Sequence, residues 1–300
     1  MINLNKIVKR TSLITLGAIT TLILLELTLR VIGFSYKVTN PIPSKISSDY
    51  TIFCIGESTT WGIGADNPRL NGYPAQLMAL LNNYYKDTSI RCYYDMGIGQ
   101  NSSEVLLKLP DYIKKYSPQC VIIMAGVNNW WNLDRSTLVF SKNEKISKIA
   151  LKIHPYLKKL RIWKLFQLTK LSLGLYREHW NEGYNGKPGF WDEPEYRDRR
   201  DTIAYTYAKH DTIEMIKICR KNNIDVIVCS YLAEPDSLRK LQKQIAQEEM
   251  IPFVDNNLVF KNLKDQDQYL SSDNWHPNQK GYAIIAENIF HCIVNNKFIE

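Results

Sequence analysis

The sequence predicts an α/β fold: a parallel sheet covered by helices on both faces, behind one N-terminal helix able to span a membrane. Three observations carry this. Short, continuous apolar runs recur at 51–56, 90–97, 119–126, 224–230 and 252–256, the pattern of strands buried on both faces. Helical patterns separate these runs, as crossover connections between parallel strands require. Thr11 to Phe34 is a stretch of 24 largely apolar residues, about 36 Å long as a helix against a bilayer core of about 30 Å.

The first element is this helix. Lys6, Lys9 and Arg10 precede its apolar run, and Glu26 and Arg30 stand four apart near its far end, where they can pair. The flanking positive charge predicts a cytoplasmic start and export of the rest of the chain to the periplasmic or extracellular face. Residues 1–34 therefore read as a cytoplasmic stub and signal-anchor helix. A cleaved signal peptide is the lesser alternative, because no A-x-A-like site precedes Tyr36. A buried amphipathic helix fits least, because the run has no polar face. Residues 35–49, polar and with two prolines, read as a linker, and 50–300 as the domain.

Within the domain, TIFCIG (51–56) is the first strand. A helix follows from Tyr73 or Pro74 to about Tyr85, with proline at its start. IRCYYDMG (90–97) is the second strand, Ser102 to Tyr116 the second helix, and QCVIIMAG (119–126) the third strand. Residues 130–203 break the alternation and read as an insertion over the carboxyl-end face of the sheet. A helix from about Ala204 to Lys221, a strand at 224–230, a helix at 235–249, a short strand at 252–256 and a helix at 278–294 complete the order.

Composition narrows the class. With 300 residues, 45% hydrophobic and 23% charged, the chain is an ordinary globular one, large enough to bury roughly three quarters of its surface. Fourteen Gly and twelve Pro are too few for a collagen-like chain. The six Cys form no C-x-x-C pair, which excludes a zinc ribbon or thioredoxin motif. Cys54, Cys92, Cys120 and Cys229 lie in predicted strands and read as buried free thiols. The net charge of +8 is local: nine Lys/Arg and one acid, Glu144, lie between Lys142 and Lys170. Apolar residues from Leu157 to Leu168 interleave with this run. The pattern suits a helix resting on a membrane surface, or a solvated face. Nucleic-acid binding does not suit an exported domain.

In sheets of this kind the ligand lies outside the carboxyl ends of the strands. The first strand ends in Gly56-Glu57-Ser58-Thr59-Thr60. Taken alone, Ser58 reads first as a helix cap or turn serine, and Thr60 excludes a G-x-S-x-G elbow. Gly99 follows the second strand and can present its backbone N–H before a helix. Asn128 follows the third and can donate its amide. Asp273 and His276 stand three apart near the carboxyl terminus, so that a carboxylate can orient the imidazole.

Together these residues resemble the SGNH subgroup of the GDSL lipase/esterase family, named for four blocks carrying Ser, Gly, Asn and His. Ser58 in GEST matches the first block, Gly99 in GIGQNS the second, Asn128 in GVNN the third, and Asp273 and His276 the D-x-x-H block. Glu57 stands where the family most often has Asp, and Asn129 where G-x-N-D is usual; both departures are expected to touch substrate preference. The resemblance covers roughly 50–129 and 224–292. It implies a three-layer α/β/α, flavodoxin-like fold with a five-stranded parallel sheet. It also implies ester hydrolysis through Ser58, His276 and Asp273, with an oxyanion hole of Ser58, Gly99 and Asn128. No metal or organic cofactor is implied. The layout of anchor, linker and domain looks like membrane-tethered bacterial members, which points to an ester-bearing carbohydrate or lipid, O-acetyl groups included. Trp130 and Trp131, next to the Asn block, are candidate substrate contacts. Tyr184, Phe190, Trp191 and Tyr196 can overhang the crevice or form the insertion's own small core. Two other functions use or forgo the same residues: an O-acyltransferase to a sugar hydroxyl, and a non-catalytic scaffold or carbohydrate-binding protein.

Overall fold

The structure, a computed structural model, describes residues 4–39, 48–95, 97–129, 160–163, 165, 169 and 194–299. The chain divides into two compact units, Met1–Ser44 with Leu138–Glu193, and Lys45–Thr137 with Pro194–Glu300.

The first unit holds helix α1 (Leu4–Thr39). Its stretch Lys9–Ser35 is long and apolar enough to cross a membrane. The hydroxyls of Thr15, Thr20, Thr21 and Thr28 each donate to the carbonyl four residues back at 2.9 Å, so these polar groups need no outside partner. Arg30 Nε donates to Glu26 Oε1 at 2.8 Å, the pairing that their spacing predicts. The other Glu26 oxygen accepts the backbone N–H of Ile162 at 3.0 Å. The helix runs on to Thr39, into the stretch read as linker; residues 40–47 lie outside the described residues.

The second unit is built on five parallel strands: β1 (Tyr50–Gly56), β2 (Ile90–Tyr94), β3 (Cys120–Met124), β4 (Asp225–Cys229) and β5 (Phe253–Val254). Their order across the sheet is β2-β1-β3-β4-β5. The chain leaves β1 to one side for β2 and then crosses to β3 on the other side. The carboxyl ends of β1 and β3 therefore flank the topological switch point, where such sheets bind ligands. Gly56 pairs with Met124 at that end.

Side chains alternate along each strand between two cores. Ile52, Cys54, Cys120, Ile122 and Met124 enter one core, which helices α4 (Tyr73–Tyr84) and α9 (Gln279–Asn295) cover through Tyr73, Leu77, Tyr282 and Ile285. Phe53, Ile55, Val121 and Ile123 enter the other, covered by α5 (Ser102–Tyr116), α6 (Pro194–Lys221) and α7 (Asp236–Glu248). The result is the expected three layers. Short helices α2 (Ser58–Trp61), α3 (Pro68–Asn71) and α8 (Asn256–Lys261) fill the connections. All six cysteines are free thiols, with Cys54, Cys120, Cys219 and Cys229 buried.

The strands and main helices fall where the apolar runs put them. Three boundaries differ. Strand β2 ends at Tyr94, short of the Gly97 read from the sequence. Helix α6 starts at Pro194, ten residues inside the stretch read as insertion. Its first turns, PEYRDRRD, are almost wholly charged or polar and carry no apolar stripe to read. Strand β5 is two residues rather than five and pairs only with β4, at the sheet edge.

Glu234 lies in the loop after β4. Both carboxylate oxygens are buried, and among the described residues only the Tyr231 backbone approaches them, without a well-formed hydrogen bond. Burial pushes its pKa well above the usual carboxylate range, so the folded state keeps a proton that the unfolded chain loses near pH 4.3. Stability then falls as pH rises from about 4.5 through the pKa of the folded acid. Glu234→Gln is expected to leave stability nearly unchanged at pH 4 and to raise it by about 1 kcal/mol or more at pH 8. Urea unfolding at the two pH values measures this; equal effects at both would contradict it.

Candidate active site

Gly56 ends β1 where no larger residue fits. A Cβ there would stand 2.2 Å from the Met124 carbonyl and 2.3 Å from Thr60 Oγ1. The chain turns at once into the single turn α2, with Ser58 as its first residue. The turn is closed by Gly62, which takes a left-handed φ of 97°. The N–H groups of Gly62 and Ile63 both donate to the Ser58 carbonyl, at 3.0 and 3.1 Å. Ser58 is thus inside the helix rather than its cap. Its backbone N–H belongs to the first turn, where N–H groups have no intrahelical acceptor.

His276 reaches Ser58 from a loop 218 residues later. Its Nε2 stands 2.8 Å from Ser58 Oγ, and its Nδ1 stands 2.6 Å from Asp273 Oδ2. The other Asp273 oxygen accepts from Ser271 Oγ at 2.7 Å and from the N–H groups of Trp275 and His276 at 2.9 Å. Partial burial works against the charge of Asp273. Even so, its hydrogen bonds to His276, Ser271 and two backbone N–H groups hold its pKa well below the usual range. An ionised carboxylate only accepts, so Nδ1 carries a proton; in the neutral imidazole Nε2 then presents its lone pair to the Ser58 hydroxyl. The loop that holds this pair is closed by Ser271 N–H to His276 O at 2.8 Å and by the bridge of Leu270 with Pro277. Asn278 then caps α9, and Tyr282 in α9 donates to the Ile63 carbonyl at 2.5 Å. The His276 loop is thereby fastened to the segment that follows α2.

The other two blocks meet beside them. Gly99 takes a left-handed φ of 64°, in the turn between β2 and α5. Gly97, two residues earlier, leaves room for the Gln100 side chain, whose amide donates to the buried Asp95 at 3.3 Å. Asn128 Nδ2 donates one hydrogen to the Gln100 carbonyl at 2.9 Å, which draws the loop after β3 against the Gly99 turn. Ile98 and Trp275, immediately before Gly99 and His276, expose large apolar side chains.

The two departures from the family pattern are both buried. Asn129 is 1% exposed. Its Oδ1 accepts from Ser102 N, and its Nδ2 donates to Ser102 Oγ, both at 2.8 Å. Ser102 Oγ and Ser103 Oγ in turn donate to Asp211 of α6, at 2.6 and 2.7 Å. Asp211 thus supplies a carboxylate behind position 129, where an Asn stands. Glu57 is fully buried. Its Oε1 accepts the Gly126 N–H at 2.9 Å and its Oε2 contacts Tyr231 Oη.

Sequence reading misses Ser271, Gln100, Asp211 and Tyr231. Ser271 alone carried a local signal, a hydroxyl two residues before Asp273. Trp130, Trp131, Tyr184, Phe190, Trp191 and most of 142–170 lie outside the described residues. Among the described residues no group of His, Cys, Asp and Glu is arranged to hold a metal.

A family model described as "GDSL-like Lipase/Acylhydrolase family" matches residues 54–284. No curated protein matches. Among solved structures, a lipase/acylhydrolase from Enterococcus faecalis is 14% identical, with 82% of this chain and 96% of that one covered and a TM-score of 0.51. At that identity the likeness shows the fold alone. A family 3 carbohydrate esterase from Clostridium thermocellum is 13% identical, with 82% and 96% covered and a TM-score of 0.48. A catalytic mutant of an acetylxylan esterase from Geobacillus stearothermophilus is 20% identical, with 82% and 95% covered and a TM-score of 0.47.

Ser271→Ala removes one of the hydrogen bonds that keep Asp273 ionised. A carboxylate with a depressed pKa stabilises the fold above its unfolded pKa, and the stabilisation is lost as pH falls through the folded value. With that value moved upward, the variant is expected to lose stability at a higher pH than the wild type. Thermal unfolding between pH 2 and 5 measures the difference; superimposable curves would show that the Ser271 bond contributes nothing.

Proposed function

Because the chain belongs to the GDSL-like lipase/acylhydrolase family, a family of hydrolases acting on ester bonds, we propose that Ser58, His276 and Asp273 are its catalytic triad. The observation that carries the proposal is the hydrogen-bonded line from Ser58 Oγ through His276 to Asp273, at 2.8 and 2.6 Å. Ser58 Oγ attacks the ester carbonyl while His276 Nε2 takes its proton. Asp273 holds the imidazole in that tautomer and stabilises the imidazolium. The oxyanion forms at the Ser58 and Gly99 N–H groups and the Asn128 side-chain amide, the site where charge must be met by fixed donors. His276 then protonates the leaving alcohol. Water, activated by the same imidazole, releases the acid from Ser58.

For the substrate we propose an O-acetyl or other short acyl ester on an envelope carbohydrate. The exposed ring of Trp275 beside His276 supports this, since it offers a flat face to a sugar ring. For the arrangement in the cell we propose that 1–34 is an uncleaved anchor, 35–49 a linker and 50–300 the hydrolase domain outside the cytoplasm. The basic start and the apolar stretch Lys9–Ser35 support this.

The test uses the full chain in detergent with p-nitrophenyl esters from acetate to octanoate. Ser58→Ala and His276→Ala are each expected to lower kcat by at least about 1,000-fold while circular dichroism stays unchanged. Substantial activity in folded Ser58→Ala would overturn the assignment. Preference for acetate supports the acetyl-ester reading, and preference for octanoate contradicts it. Acetylated sugar formed when a sugar is added in excess would show transfer in place of hydrolysis.

A further inference from the structure

Glu57 is an acid with no position in the proposed chemistry, yet it adjoins the nucleophile. It is fully buried. Oε1 accepts the Gly126 N–H at 2.9 Å. Oε2 lies against Tyr231 Oη, which also stands 3.1 Å from the Met124 carbonyl. The hydrogens in this cluster can be counted. Tyr231 has one hydroxyl hydrogen and two close oxygens to serve. If Glu57 is ionised, that hydrogen goes to Oε2, and the Met124 contact holds none. If Oε2 carries a proton, it donates to Tyr231 Oη, Tyr231 donates to Met124 O, and every short oxygen pair contains one hydrogen.

The charged surroundings agree with the second arrangement. From β3 and its loop, Glu57 meets only backbone groups of Gly126 and Asn128. From the end of β4 it meets Tyr231, with Glu234 beyond. The α5 group whose charge bears on it, Glu104, is another acid. Beyond Ser58 lie His276 and the ionised Asp273. Among the described residues no lysine or arginine pairs with it. Burial pushes its pKa up to about 8, against the hydrogen bonds from Tyr231 and the backbone.

Position gives this acid a task. Glu57 is covalently joined to Ser58 and hydrogen-bonded to Gly126, two residues before Asn128. One side chain therefore sets the spacing between the nucleophile and an oxyanion donor. We propose that Glu57 is a positioning residue that works as a neutral acid, held with Tyr231 between β1 and β3, and that loss of its proton shuts hydrolysis down on the alkaline side. Once ionised, it places a second negative charge beside the one developing on the oxyanion, in a site that water screens poorly.

This rests on the reading of Ser58 as nucleophile, and the experiment separates the two. The full chain in detergent is followed from pH 5 to 10 by p-nitrophenyl acetate hydrolysis and by fluorophosphonate labelling of Ser58. In the wild type kcat is expected to fall about tenfold per pH unit above about pH 8. Glu57→Gln, which keeps an amide donor in place of the acid's O–H, is expected to lower kcat several-fold at pH 7 with little change in KM. Its fall between pH 8 and 9.5 should vanish. Should that variant not fold, Tyr231→Phe serves: it removes the acceptor of the acid's O–H but also the stronger, charge-assisted bond that the ionised carboxylate would accept, so the alkaline fall moves to higher pH. An alkaline limb unchanged in the variant that folds, with Ser58 labelled normally, overturns the role of Glu57 and leaves the nucleophile standing. No label on wild-type Ser58 at any pH overturns the nucleophile, and this inference with it.

Discussion

The closeness of β1 and β3 at the switch point governs the rest of the site. Gly56 and Met124 are register partners, and at Gly56 the Met124 carbonyl occupies the space a side chain would need. Because the backbones approach so far, the residue after Gly56 can reach across. Glu57 hydrogen-bonds to Gly126, and Ser58 and Asn128 emerge from adjacent strand ends. A single added methyl at position 56 would have to part the strands, and with them every distance described for the site. Packing of this density tolerates little widening.

From that junction the remaining parts are fastened by hydrogen bonds within and around the four blocks. Gln100 and Asn128 tie the Gly99 turn to the loop after β3. Asn129, Ser102 and Asp211 tie α5 to α6. Tyr282 ties α9 to the segment after α2. Each bond joins two elements that cross the sheet on different paths, so the site of this ester hydrolase is held by the layers as a whole. Short polar contacts of this kind fix geometry because their partners are themselves fixed, which is what preorganised chemistry requires.

The sequence made the sheet legible because each strand is buried on both faces and so reads as an unbroken apolar run, as in FCI and CVIIM. The blocks of the site were legible because their residue types sit at strand ends, where packing gives them no reason to be. What stayed hidden is pairing over distance. Tyr231 and Glu57 are 174 positions apart, and Ser102 and Asp211 are 109 apart; neither pair leaves a periodic trace. Helix α6 began earlier than read because its first turns are charged all round. The place of Glu57 was hidden for a related reason: an acid beside Ser58 leaves no sequence sign of which way it faces, and only burial shows that it faces inward.

The sulfur chemistry of the fold follows from where the strands put the cysteines. Burial pushes the Cys54 and Cys219 thiols up to about 12 and raises those of Cys92, Cys120 and Cys229 well above the ordinary value. At neutral pH a thiol of pKa 12 is ionised about once in 100,000 molecules, and the thiolate is the form that attacks disulfides and oxidants. Once folded, the hydrolase unit therefore keeps these thiols poorly reactive in reducing and oxidising surroundings alike.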